Sequence, residues 1–157
     1  MPAQSIETAL PTPLDDDLIG TAGPDIIDLL EGNDTVSGGE GDDSIGGGNG
    51  NDTIFGDGGS DILRGGSGDD TIYGGDGDDN IVANFGNDTV YGDDGKDNIR
   101  GSTGIDSVYG GNGDDRLWGD EEDDFLWGDA GEDRLYGGTG NDTLCGGTED
   151  YRLSLRR

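Results

Sequence analysis

An Asp recurs every nine residues, with no insertion, from one end of this chain almost to the other, and that spacing leaves few folds open. The series is Asp25, Asp34, Asp43, Asp52, Asp61, Asp70, Asp79, Asp88, Asp97, Asp106, Asp115, Asp124, Asp133 and Asp142. With this Asp as the sixth of nine positions, fourteen repeats run from Gly20 to Cys145. Position eight is aliphatic throughout, from Ile27 and Val36 to Leu135 and Leu144. Glycine holds position one except at Leu29 and Ala83, and position four except at Glu122. A carboxylate, an apolar side chain and glycines in one fixed register describe a stack of like turns, in which no turn buries much alone.

The glycine-rich first six residues of a repeat read as a turn and the last three as a short strand. Gly68-Asp69-Asp70 followed by Thr71-Ile72-Tyr73 is an instance. Each strand offers one inward side chain, so two strands back to back share a thin core. One coil is then two repeats, or 18 residues, and the fold is an all-β solenoid of two short-strand sheets in about seven coils. The outward residues carry the same period. Position seven reads Thr35, Thr53, Thr71, Thr89, Ser107, Phe125 and Thr143 in alternate repeats, and Ile26, Ser44, Ile62, Asn80, Asn98, Arg116 and Arg134 in the others. At position nine, Phe55, Tyr73, Tyr91, Tyr109 and Trp127 fall on the hydroxyl-bearing sheet.

Such a stack does not hold itself together. The chain has 37 acidic and 8 basic residues, a net charge of -29, only 28% hydrophobic residues and 35 glycines. Aspartates one coil apart, at about 5 Å, repel by roughly 3 kcal/mol per pair at an effective dielectric of about 20. One aliphatic side chain per nine residues does not offset that and the entropy of ordering a glycine-rich chain. Cations are the natural partner, and nucleic acid and anionic membrane surfaces are not expected as partners. A disordered acidic linker has the same composition, but gives no reason for the aliphatics to keep register.

Other chemistries lack their residues. With no His, a His-ligated zinc site and a His general base are ruled out, and no nucleophile–base arrangement stands apart from the repeat, so no enzyme is expected. Cys145 is alone, a plain surface thiol or a dimerising one. There is no 18-residue apolar run for a transmembrane helix, and the first twenty residues lack the basic start and apolar stretch of a signal peptide. No EF-hand loop, with its Glu at position twelve, is present. The chain divides into a lead-in, 1–19, containing a degenerate first coil with Asp16 and Leu18 in register; the repeats, 20–145; and 146–157, where Tyr151 replaces the Asp. That last segment is either an end strand covering the stack or a frayed tail.

Calcium suits the pattern on chemical grounds. It takes six to eight oxygens in irregular geometry, glycine lets carbonyls turn toward an ion, and the short Asp reaches it. The unit Gly47-Gly48-Asn49-Gly50-Asn51-Asp52-Thr53-Ile54-Phe55 recurs closely at Gly65–Tyr73, Gly74–Val82, Gly110–Trp118 and Gly137–Cys145. It resembles the calcium-binding nonapeptide of repeats-in-toxin (haemolysin-type) proteins. The resemblance implies a right-handed parallel β-roll with Ca²⁺ between turns one coil apart. Ligands are then the fourteen aspartates and backbone groups of positions one to four, including Gly38, Gly41, Gly47, Gly50, Gly56, Gly59, Gly65, Gly68, Gly74, Gly77, Gly92, Gly95, Gly110 and Gly113.

Pairs would run from Asp25–Asp43 and Asp34–Asp52 to Asp124–Asp142. Two edges of six gaps hold about twelve ions at most, enough to bring -29 to about -5. Sites at Leu29-Leu30, Ala83-Asn84-Phe85 and Glu121-Glu122 are expected to be weak or absent. Asp57, Asp93, Asp120 and Asp129, at position two, are surface charges or extra ligands.

The family also implies a secreted, extracellular protein, exported unfolded by type I secretion and folded by calcium outside the cell. Its export signal normally follows the repeats over a longer stretch than the twelve residues after Cys145. As an alternative, the row Phe55, Tyr73, Tyr91, Tyr109, Trp127 beside the threonines makes a regular face for extracellular polysaccharide or ice, as the repeat modules of alginate epimerases suggest by resemblance. Arg64, Arg100, Arg116 and Arg134 on the other face would suit an anionic polysaccharide. Cross-strand stacking that stabilises the sheet accounts for the same aromatic row.

Overall fold

The computed structural model describes residues 11–147 and the backbone of Arg152–Ser154. The strands in chain order are β1 (Asp17–Ile19), β2 (Ile26–Asp28), β3 (Thr35–Glu40), β4 (Ser44–Asn49), β5 (Thr53–Gly58), β6 (Ile62–Ser67), β7 (Thr71–Asp76) and β8 (Asn80–Phe85). They continue as β9 (Thr89–Asp94), β10 (Asn98–Thr103), β11 (Ser107–Asn112), β12 (Arg116–Glu121), β13 (Phe125–Ala130), β14 (Arg134–Thr139), β15 (Thr143–Cys145) and β16 (Arg152–Ser154). Odd-numbered strands form one parallel sheet of eight and even-numbered strands the other. Each residue pairs with the one 18 later, as Ile54 with Ile72 and Ile72 with Val90. The expected two-sheet β-solenoid, with its 18-residue coil, is therefore the architecture observed.

The core is a single file from each sheet. Val36, Ile54, Ile72, Val90, Val108 and Leu126 meet Ile45, Leu63, Ile81, Ile99, Leu117 and Leu135, all at 0% exposure. Leu18 is buried and in register with Val36, so the column extends into residues 11–19. At the other end β16 pairs with β14 at the same offset, Leu153 beside Leu135. Tyr151 and residues 155–157 lie outside the described residues. Among the described residues, no helix is long and apolar enough to cross a membrane.

One expectation is corrected. The full strands are six residues long, not three, and run from position seven through position three of the next repeat. Glycine disfavours a strand by propensity, but a like coil 18 residues away supplies ladder partners at positions seven to nine, two and three, as between Thr71–Asp76 and Thr89–Asp94. The turn shrinks to positions four to six. Position two bends the strand with positive φ, +104° at Gly48 and +103° at Gly75. In the six-residue strands β3 to β14, where it is not glycine it is Asp57, Asn84, Asp93, Ser102, Asp120 or Asp129, at φ 64° to 92°, whereas Thr21 and Leu30, after the short β1 and β2, lack this bend. Asp and Asn tolerate this region best after glycine.

Candidate metal centre

Position six closes each turn just before a strand and turns its side chain inward, so the aspartates Asp25 to Asp133 are only 0–3% exposed, and Asp142 is half-buried. From Asp34 onward each carboxylate reaches back one coil, while that of Asp25 accepts Thr21 N–H within its own turn. Asp52 Oδ1 accepts the N–H of Asp34 at 2.8 Å, Asp61 Oδ1 that of Asp43 at 2.8 Å, and Asp106 Oδ1 that of Asp88 at 2.9 Å. Position-six residues 18 apart are thus joined through a main-chain N–H. The other oxygen has no partner. Oδ2 of every position-six Asp from Asp34 to Asp133, and Oδ1 of Asp25, is buried without a hydrogen bond.

A buried, unpaired carboxylate oxygen is costly, and the electrostatics register it. Burial, opposed by the one backbone N–H and reinforced by neighbouring aspartates, pushes Asp70, Asp79, Asp97 and Asp124 up to about 7. Asp106, with Asp88, Asp124 and Glu122 nearby, rises to about 8. These side chains suit their positions best beside a cation.

The glycines leave room for one. On Gly38, Gly47, Gly56, Gly65, Gly74, Gly92 and Gly110, at position one, a methyl carbon would stand 2.4–2.5 Å from Oδ2 of the same repeat's Asp. The carbonyl oxygen of the residue 18 later would lie 2.3–2.8 Å from the same point. Position one is thus kept bare by space, not by φ. At position four, Gly50, Gly59, Gly68, Gly77, Gly95 and Gly113 have φ of +124° to +156°. A methyl there would sit 1.5–2.2 Å from the carbonyl oxygen of the glycine one coil earlier.

In these turns the carbonyls of positions three and six are engaged, Asp76 O by Gly59 N–H at 2.8 Å and Asp61 O by Asn80 N–H at 2.9 Å. Those of Gly59 and Ser60 accept no backbone hydrogen bond. Among the described residues no three acidic, His or Cys side chains converge on one point. Coils spaced a strand apart bring one carboxylate per coil to an edge, so carbonyl oxygens must complete any shell. Carboxylate plus carbonyl oxygens in irregular geometry are a donor set for a hard cation, calcium before magnesium or zinc.

Overlapping matches to the model of the RTX calcium-binding nonapeptide repeat (4 copies) run from 12–45 and 30–63 through 109–144 and 118–152. The chain belongs to this family. No curated protein matches the chain. RTX repeats bind calcium, which is the ion the oxygen set favours, and an RTX repeat is a structural unit rather than a known enzyme family.

The sequence reading missed a second ladder in this RTX chain. At position five, side chains reach forward one coil. Asn33 Oδ1 accepts Asn51 N–H at 2.9 Å, Asn51 that of Asp69 at 3.0 Å, Asp69 that of Asn87 at 2.8 Å and Asn87 that of Ile105 at 2.9 Å. The prevalence of Asn and Asp at position five, from Asn33 to Asn141, is the signal that carried it. Position-two aspartates make contacts of their own: Asp57 Oδ2 accepts from the Ser37 hydroxyl and the Gly39 N–H, and Asp120 pairs with Arg100 at 3.0 Å.

The aromatic row stacks ring on ring. Phe55, Tyr73, Tyr91, Tyr109 and Trp127 have successive centroids 4.6–4.9 Å apart and planes within 10° of parallel. Interior ring faces are covered by each other, leaving edges and hydroxyls outward. Arg64, Arg100, Arg116 and Arg134 all lie on the even-numbered sheet, where Arg100 sits over the Trp118 ring at 5.8 Å.

Proposed function

We propose that this chain is a calcium-dependent folding module of a secreted bacterial protein, disordered at cytosolic calcium and coiled at extracellular calcium. The observation that carries the reading is the file of buried, unpartnered carboxylate oxygens along both edges. Without cations they repel in a low-dielectric interior; with calcium each gains a ligand bond, and folding and binding become one transition. The ligands in this reading are the position-six aspartates with backbone carbonyls of positions one to four, among them the free position-four carbonyl as at Gly59, in about twelve gaps at most. Extracellular calcium modules bind at around 0.1–1 mM, far above cytosolic levels. An unfolded, strongly acidic chain suits export as an extended thread, and calcium outside would then trap it.

The test is far-ultraviolet circular dichroism from chelator through micromolar to millimolar calcium. A coil-to-β transition in the last range is expected; a folded spectrum in chelator would end the proposal. The polysaccharide-binding alternative gains no support from the aromatic row, whose interior ring faces are covered by neighbouring rings.

A further inference from the structure

The departures from the repeat do not fall at random over the two edges. Turns leading from the odd-numbered sheet to the even-numbered one carry Asp25, Asp43, Asp61, Asp79, Asp97, Asp115 and Asp133. All seven of these repeats keep glycine at positions one and four, from Gly20 and Gly23 to Gly128 and Gly131. Turns leading back carry Asp34, Asp52, Asp70, Asp88, Asp106, Asp124 and Asp142. Every exception lies here: Leu29 before Asp34, Ala83 before Asp88 and Glu122 before Asp124.

Each exception alters the ion's space in a definite way. Leu29 and Ala83 turn inward and join the core at 2% and 0% exposure. They put a side chain at the position where a methyl on Gly74 would stand 2.4 Å from Asp79 Oδ2 and 2.5 Å from Gly92 O. Glu122, held at φ 76°, sends its own carboxylate to the N–H of Gly104 at 2.9 Å. That N–H would otherwise bond the carbonyl at position three of the next coil, as Gly86 does with Thr103.

A second, independent difference points the same way. The forward-reaching position-five ladder is unbroken on the interrupted edge from Asp15 through Asn33, Asn51, Asp69 and Asn87 to Ile105 N–H. On the glycine-complete edge Pro24, Ser60 and Lys96 break it, and no side chain accepts from the N–H of Asp42, Asp78 or Asp114. One edge thus has room for ions throughout and only three such rungs, Asp42 to Ser60 N–H, Asp78 to Lys96 N–H and Asp114 to Glu132 N–H, with one ion pair between Lys96 and Asp114. The other is partly closed to ions and carries its own protein-made ladder.

We infer that the two edges are unequal calcium rows: the Asp25–Asp133 edge binds as one continuous, tighter series, and the Asp34–Asp142 edge as shorter, weaker runs interrupted at Leu29, Ala83 and Glu122. This rests on the calcium reading above and adds which row governs folding.

Calorimetric titration of the metal-stripped full chain with calcium, on the native protein and two single variants, tests it. The native isotherm should show two classes of site. Gly74→Ala, which places on the complete edge the methyl that Ala83 places on the other, should weaken the tighter class roughly tenfold, the scale of a disturbed ligand surround. Ala83→Gly restores the repeat without threatening the fold and should tighten the weaker class by a similar factor. A single class in the native chain, both substitutions acting on one class, or Ala83→Gly leaving the isotherm unchanged would overturn the inference while calcium binding stands. No calcium uptake by the native chain would overturn both.

Discussion

The main-chain N–H of Asp70 points at Asp88 Oδ1, 2.8 Å away and 18 residues later, while Asp88 Oδ2 is buried with no partner. One carboxylate therefore does two things: it ties its own coil to the one before, and it presents a bare oxygen to the turn. Asp88→Asn keeps the first role and removes the charge from the second. In calcium the variant should lose about 3 kcal/mol, the scale for removing one partner of a buried ion pair. In chelator the same change relieves repulsion, and any residual structure should gain. Urea titrations in both conditions check this, and shifts of the same sign would contradict it.

The pH response follows from the same oxygens. In the metal-free coil Asp70, Asp79, Asp97 and Asp124 sit near 7 and Asp106 near 8, all raised from 3.8. A carboxyl group raised on folding binds its proton more tightly in the folded chain. Its contribution is fully present below about pH 4 and is lost as pH rises through 7 to 8. Metal-free chain should therefore gain β-structure on acidification across that window, whereas the calcium needed to fold it should rise as protons compete. Circular dichroism from pH 4 to 8, once in chelator and once at fixed subsaturating calcium, reads the two effects separately.

Glycine is not equally necessary everywhere. Gly77 has φ +130°, and a methyl on it would lie 1.9 Å from Gly59 O. Gly77→Ala should cost at least about 3 kcal/mol from backbone strain and collision together. Asp57, at φ 71°, already carries a side chain in the left-handed region. Asp57→Gly removes about 1 kcal/mol of strain but also the acceptor for Gly39 N–H, so its net effect should stay within about 1 kcal/mol. Melting curves in saturating calcium separate the two.

Tyr91 is stacked on both faces, against Tyr73 and Tyr109, each at 4.9 Å. Two such contacts are worth about 1–3 kcal/mol beyond buried area, so Tyr91→Ala should lower stability by at least that much in calcium. A glycan array run with the native chain and with Tyr73→Ala/Tyr91→Ala asks separately whether the row binds sugar. Retained binding by the double variant would exclude it.

The coil, the sheet assignment and the core were legible because position eight never leaves its register: Ile54, Leu63 and Ile72 alternate between sheets on a fixed count. Strand length was not. Gly47-Gly48-Asn49 reads as turn by propensity, and only the stacked neighbour, with Ser67 and Phe85 in line, makes it strand. The aspartates were legible as a row, but not that Asp52 divides its oxygens between a backbone N–H and an open turn, which depends on the direction its side chain takes. The position-five ladder went unread because Asn51 and Asp69 look like ordinary turn residues until the next coil is placed above them.

The constant 18-residue offset makes the length of this protein a whole-number quantity. Excising residues 74–91 would join Tyr73 to Gly92 at equivalent points of successive coils, leaving a shorter rod of the same cross-section with each sheet's pattern intact. Excising nine residues would instead carry every downstream side chain to the opposite face, ending the tyrosine row in mid-stack and putting the intact glycine series behind the interrupted one. Growth or loss in steps of two repeats therefore keeps each sheet's outward pattern, whereas a step of one repeat keeps the core file but exchanges the faces.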